Sequence, residues 1–177
     1  GTPAPGDGVG YTFHSYCLGT DGGEPTQPDA VSNTLCQGVY DGAVGDALGI
    51  GARWDVPVLL GEFGASASPL NSTRLTELAD EHLLSWMHWH CCNASEVVRT
   101  NLVRTYAQAT AGRPLSQRYD PASGEFEFRY RADPAIAAPT VIAVPSDPYP
   151  DGYTTSVEGG TVTSPDGSGQ LTVVAVE

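Results

Sequence analysis

Val56-Pro57-Val58-Leu59-Leu60-Gly61-Glu62-Phe63-Gly64 sets an apolar run against a single carboxylate that follows it at once. Consecutive apolar positions without alternation read as a strand buried on both faces, as in a parallel sheet. An ionised group at the end of such a strand needs an explanation, because burying it unpaired is costly. Barrel enzymes place their catalytic groups at the C-terminal rim of their strands, which makes Glu62 the first candidate for chemistry.

Outward from this run, strands and helices alternate. Tyr11 to Cys17 (YTFHSYC) reads as a strand from its aromatic content. Asn33 to Arg53 carries Leu35, Val39, Ala43, Ala47, Leu48 and Ile50 at helical spacing. Pro57 to Glu62 is the second strand, and a second helix is expected from Asn71, with Ser or Thr as its cap and Glu77 behind it. Leu84 to His90 is the third strand. A third helix, opened by Ala94-Ser-Glu and carrying Val97, Val98, Leu102, Val103, Tyr106 and Ala107, should end at Gly112 before Pro114. Alternating strands and helices imply βα units and a parallel sheet.

Beyond Gly112 helical periodicity stops, and Pro and Gly punctuate short β-favouring runs. Phe126-Glu-Phe-Arg-Tyr-Arg131 alternates with period two after a turn at Asp120 to Gly124, and Leu115 to Tyr119 precedes it. Thr140–Val144, Thr154–Val157, Gly160–Thr163 and Leu171–Val176 complete six expected strands, read as a small antiparallel β-sandwich. The expected division is therefore 1–112 and 113–177, α/β followed by all-β.

Composition narrows the function. The net charge of -13 rests on 21 acidic residues against 8 basic ones, all arginine. Such a surface repels phosphate backbones and argues against a nucleic-acid partner. With no lysine, the chain supplies no Schiff-base or Walker-type lysine. Cys17, Cys36, Cys91 and Cys92 make no C-x-x-C pair, so no metal site is expected, and no residue pattern calls for a cofactor. Cys17 and Cys36 bracket a Gly/Pro-rich segment that a disulfide would stabilise. Four cysteines allow three pairings, and buried free thiols are the other reading.

His14 and Tyr16 alternate on the first strand and so share a face, while the third offers Trp86, His88 and Trp89 with His90 beyond. Histidine, tyrosine, tryptophan and a carboxylate at neighbouring strand ends suit carbohydrate. Aromatic faces stack on sugar rings while the polar groups hold hydroxyls and orient the carboxylate.

Pro57-Val-Leu-Leu-Gly-Glu-Phe-Gly64, His14-Ser-Tyr16 and Ser85-Trp-Met-His-Trp89 together resemble, in order and spacing, the last strands of glycoside hydrolase family 5. The β-rich tail after Arg104-Thr-Tyr-Ala-Gln-Ala109, and the Cys after His-Ser-Tyr, are similar to its endoglycoceramidase branch. The resemblance implies the C-terminal portion of a (β/α)8 TIM barrel, about three βα units, followed by the sandwich. It implies Glu62 as the nucleophile of a retaining β-glycosidase, Tyr16 orienting it, His14 binding a substrate hydroxyl, and Trp89 stacking on the sugar. Trp86, three residues before Trp89, falls on the opposite face. The substrate implied is a glycosphingolipid cleaved between glycan and ceramide, or another oligosaccharide or glucoside, with transient contact to a lipid surface and secretion from a bacterial cell.

A retaining glycosidase needs a second carboxyl about 5 Å from the first. The family carries it in Asn-Glu-Pro, and this chain has no Asn-Glu; Glu24-Pro25 follows Gly23. The acid/base is therefore expected in an N-terminal remainder of the same enzyme, since three barrel strands alone would leave open edges. The alternative reading is a non-catalytic carbohydrate-binding or surface module. An open-sheet hydrolase is disfavoured because there is no G-x-S-x-G.

Overall fold

The computed structural model describes residues 8–17, 30–64, 69–89 and 101–176. The chain divides into two compact units, Gly1–Leu102 and Val103–Glu177.

The first unit orders β1 (Tyr11–Ser15), α1 (Ala30–Trp54), β2 (Val58–Phe63), α2 (Pro69–Glu81) and β3 (Ser85–Trp86). The strands form a parallel sheet in the order β1-β2-β3. One face of this sheet and the two helices make a single apolar core. Phe13, Leu60 and Phe63 pack with Tyr40 and Val44 of α1 and with Leu75 and Leu78 of α2, while Tyr11, Val58 and Trp86 lean on the margin.

The buried stripe of α1 is Cys36, Tyr40, Val44 and Ala47, at helical spacing. Of the aliphatic series expected along this helix, Ala47 is buried and Ala43 and Leu48 pack at the core margin, whereas Leu35 and Val39 give way to the sulfur of Cys36 and the ring of Tyr40. Leu35 and Val39 are instead 66% and 47% exposed and form, with Val31, an apolar stripe on the outer surface. Cys17 and Cys36 are joined by a disulfide with their Cα atoms 5.4 Å apart, tethering the end of β1 to α1. Cys91 and Cys92 lie outside the described residues.

The second helix begins two residues before Asn71, at Pro69, whose fixed φ and missing N–H suit a first helical position. Ser72 and Thr76 therefore lie inside the helix, their hydroxyls donating back to Pro69 O and Thr73 O at 3.1 and 3.0 Å. Arg74 on α2 reaches Asp41 of α1 through Nε at 2.9 Å and Nη2 at 2.7 Å, and Glu81 through Nη1 at 3.2 Å.

The third helix does not reach Gly112. Helical geometry stops at Leu102, and Tyr106–Ala109 is strand β4, paired antiparallel with β7 (Thr140–Ala143). The apolar spacing of Tyr106 and Ala107 is compatible with either structure, and β-branched Val103 and Thr105 favour extension. Pairing with β7 decides. The division into units accordingly falls between Leu102 and Val103, ahead of residue 112.

In the second unit, β4, β7 (Thr140–Ala143), β9 (Gln170–Ala175) and β8 (Gly160–Val162) form an antiparallel sheet in that spatial order. β5 (Gly112–Tyr119) and β6 (Phe126–Ala132) form a separate hairpin. The hairpin turn is organised by Asp120, whose Oδ1 accepts the Ala122 N–H at 2.9 Å, and by Gly124 at φ 73°. Thr154–Val157, expected as a strand, belongs to neither sheet: it follows the Pro/Gly-rich segment from Pro148 to Gly152 and has no ladder partner.

Candidate functional site

The position of Glu62 depends on a β-bulge. Phe13 pairs with Leu60, but the next residue, His14, pairs with Glu62, so β2 advances two residues for one on β1. Side chains alternate along a regular strand, and Glu62 would otherwise follow Leu60 into the core. With Gly61 as the extra residue, Leu60 and Phe63 both face the helices, and Glu62 emerges on the opposite face beside His14.

Gly61 is where this arrangement requires glycine. A Cβ there would run into Thr12 Oγ1 and lie 3.6 Å from the His14 ring. The bulge thus presses the β2 backbone against the two β1 side chains of that face.

On this open face the first strand delivers both its polar groups to one atom. Tyr16 Oη donates to Glu62 Oε2 at 3.1 Å, and His14 Nδ1 lies 3.2 Å from the same oxygen. Glu62 is partly open to solvent, 29% exposed, and His14 more so. Oε2 is held from two directions, which fixes the carboxylate plane and directs Oε1 elsewhere.

The tryptophan strand joins through its backbone. Met87 N–H donates to Leu60 O at 2.9 Å and Trp89 N–H to Phe63 O at 2.8 Å, and Gly64 pairs with Trp89 in a parallel bridge. Trp86 turns to the core, its ring edge-on to Phe63 at 5.4 Å. By alternation Trp89 points away from that core, and it is 51% exposed. His14 and Tyr16 thus both contact Glu62, with Trp89 stationed just past the end of the adjacent strand. His90 lies outside the described residues.

Among the described residues no group of three or more His, Cys, Asp or Glu assembles as a metal site. A cleft of about 1150 Å³ opens in the second unit, lined by Phe126, Phe128, Tyr130, Ile142 and Val173. It lacks any carboxylate–histidine pair, so we place the candidate site at Glu62.

Residues 104–177 match the family model described as the glycoside hydrolase family 5 C-terminal domain. Across its first unit as well, the chain is similar to endoglycoceramidases. It is 36% identical over 180 residues to Endoglycoceramidase I of Rhodococcus hoagii (strain 103S), covering 94% of this chain and 35% of that protein. Its fold matches Endo-glycoceramidase II from Rhodococcus sp. as the lactosyl-enzyme intermediate (TM-score 0.69, 22% identity), with 95% of this chain and 46% of that one covered. The ganglioside GM3 complex of the same enzyme gives a TM-score of 0.70 at 20% identity, covering 95% and 47%. The chain therefore spans about a third to a half of these relatives. The segment that matches the family model coincides with the second unit, beginning within one residue of Val103.

Proposed function

We propose that this chain is the C-terminal part of a retaining β-glycosidase of the endoglycoceramidase kind, with Glu62 as its nucleophile. The observation that carries the reading is the convergence of Tyr16 Oη and His14 Nδ1 on one oxygen of Glu62, on the open face of a parallel sheet. With Oε2 so held, Oε1 attacks the anomeric carbon. The C–O bond to the leaving group breaks, a glycosyl ester forms on Glu62, and water then hydrolyses it. His14 holds a substrate hydroxyl, and Trp89 offers its exposed ring to the sugar face.

The acid that protonates the leaving oxygen, and later activates water, belongs to the remainder of the enzyme. Two features support such a remainder. The parallel sheet ends at β1 and β3 with no further strand among the described residues, and Val31, Leu35 and Val39 offer an apolar helix stripe for a neighbouring element. In this reading the first unit is the closing portion of a (β/α)8 barrel and the second its β-sandwich. The substrate is a glycolipid cleaved between glycan and ceramide, and the enzyme is secreted.

Glu62→Gln in the complete enzyme tests the reading, since it removes the negative charge and keeps the shape. Turnover should fall at least about 10³-fold, equivalent to about 4 kcal/mol of activation barrier. A 2-deoxy-2-fluoro glycoside with a good leaving group forms the glycosyl ester faster than water removes it, and should add the mass of one fluorinated glycosyl group to the wild-type peptide containing Glu62. Near-wild-type turnover in the variant, or a sugar trapped on another peptide, would refute it. Sugar binding without turnover by the complete enzyme would favour the binding-module reading.

A further inference from the structure

Trp89 can serve as a platform only if the end of its strand is held at the right height against β2. Regular pairing of β3 ends at Trp86, three residues earlier. The side chain that bridges this interval is His88. It lies on the core-facing side with Trp86, and its ring meets Phe63 edge-on, with centroids 5.6 Å apart and planes at 81°. Phe63, fully buried and next to Glu62, is bracketed by Trp86 at 5.4 Å and His88 at 5.6 Å.

The backbone just past β2 is shaped to receive this ring. Gly64 has φ 104°, in the region that favours glycine. A Cβ there would collide with His88 Nε2, 2.5 Å from Cδ2 and 3.1 Å from Trp89 O. The glycine vacates the volume that the imidazole occupies, one residue past Phe63 and directly across from Trp89. Phe63, the neighbour of Glu62 on β2, and His88, the neighbour of Trp89 just beyond β3, are thereby keyed to each other.

We infer that His88 is a positioning residue: its ring, seated over Gly64 and against Phe63, sets the height of Trp89 relative to Glu62. This rests on the reading of Glu62 as nucleophile and Trp89 as platform. His88 touches no reacting atom in this role and acts through Trp89 alone.

The test is a double-mutant cycle on kcat and KM for a ceramide-linked glycoside, with the complete enzyme that carries this chain. His88→Ala should raise KM about tenfold with kcat changed less, because a displaced platform weakens ground-state and transition-state binding together. His88→Ala combined with Trp89→Ala should lose no more than Trp89→Ala alone, within about twofold. His88→Phe, which keeps a ring at the Phe63 edge, should recover KM. If His88→Ala does not fold, His88→Leu fills the same space without a flat ring and should show the KM shift. Additive losses in the cycle, an unchanged KM in both His88→Ala and His88→Leu, or a failure of His88→Phe to recover KM would each overturn the inference. Those outcomes alongside an inactive Glu62→Gln would discard only the role of His88, whereas an active Glu62→Gln discards the catalytic reading beneath it.

Discussion

Gly61→Ala isolates the bulge that turns Glu62 out of the core. The added Cβ meets Thr12 Oγ1 well inside van der Waals contact, and Thr12 is β-branched and stiff at χ1. Forcing such an overlap typically costs about 1–3 kcal/mol. Gly61 is not among the positive-φ residues, so alanine carries no backbone penalty there and recovers about 0.4–1 kcal/mol by restricting the unfolded chain. The net expectation is a loss of about 1–2 kcal/mol, or about 2–8 °C in Tm for a chain of this size, followed by circular dichroism. Thr12 is exposed, and Thr12→Ala alone should stay within about 0.5 kcal/mol of wild type. With Oγ1 gone, the atoms next nearest the new methyl belong to the His14 ring at 3.6 Å, an ordinary contact. In the Thr12→Ala background the Gly61→Ala penalty should therefore vanish or reverse. An equal penalty in both backgrounds would show that Thr12 is not what demands glycine, and the account of the bulge would fall.

Three further outcomes follow from the packing. Replacing Cys17 and Cys36 by Ser should cost about 3 kcal/mol from loop-closure entropy over a sequence separation of 19, and a Tm unchanged by the substitution or by reductant would contradict this. Arg74→Met should lower stability by about 1 kcal/mol at low salt and less at high salt, and a loss independent of salt in urea melts would refute the ionic account. Burial first, and then neighbouring Tyr149, raise the Tyr119 phenol above the ordinary tyrosine value, against the pull of the Arg104 guanidinium 4.9 Å over its ring. Because the folded value is the higher one, this contribution is complete below about pH 10 and is lost as pH climbs through the raised value. Tyrosinate absorbance should show one fewer early-titrating tyrosine in Tyr119→Phe only when the chain is unfolded, and an early loss in the folded chain as well would contradict the shift.

What could be read from the chain divides along physical lines. Val56 to Gly64 announced its strand because so short an uninterrupted apolar run, closed by glycine, fits a buried strand better than a helix. The pairing of His14 and Tyr16 on one face followed from alternation. The bulge was not legible, since it exists only in the register between two strands, and Gly61 looks like any other glycine until Thr12 lies beside it. On α1 the aliphatic spacing pointed to Leu35 and Val39, yet Cys36 and Tyr40 took the core, because the disulfide partner and a large ring outweigh aliphatic pattern. Tyr106–Ala109 could serve as helix or strand, and only its long-range partner β7 decided. The keying of His88 to Gly64 likewise required three-dimensional proximity.

The early start of the second unit matters for anyone who dissects the chain. A cut at residue 112, where composition changes, would remove β4 and leave β7, with its Thr140-Val141-Ile142-Ala143 backbone, as a bare sheet margin. It would also discard Arg104 and Thr105, which are buried in that unit at 4% and 3% exposure, and with them the hydroxyl contact from Thr105 to Tyr149 at 2.7 Å. Unprotected margins of this kind recruit strands from other molecules. The second unit alone should therefore be expressed from Val103, and a version begun at 113 should precipitate or assemble into oligomers through the orphaned β7.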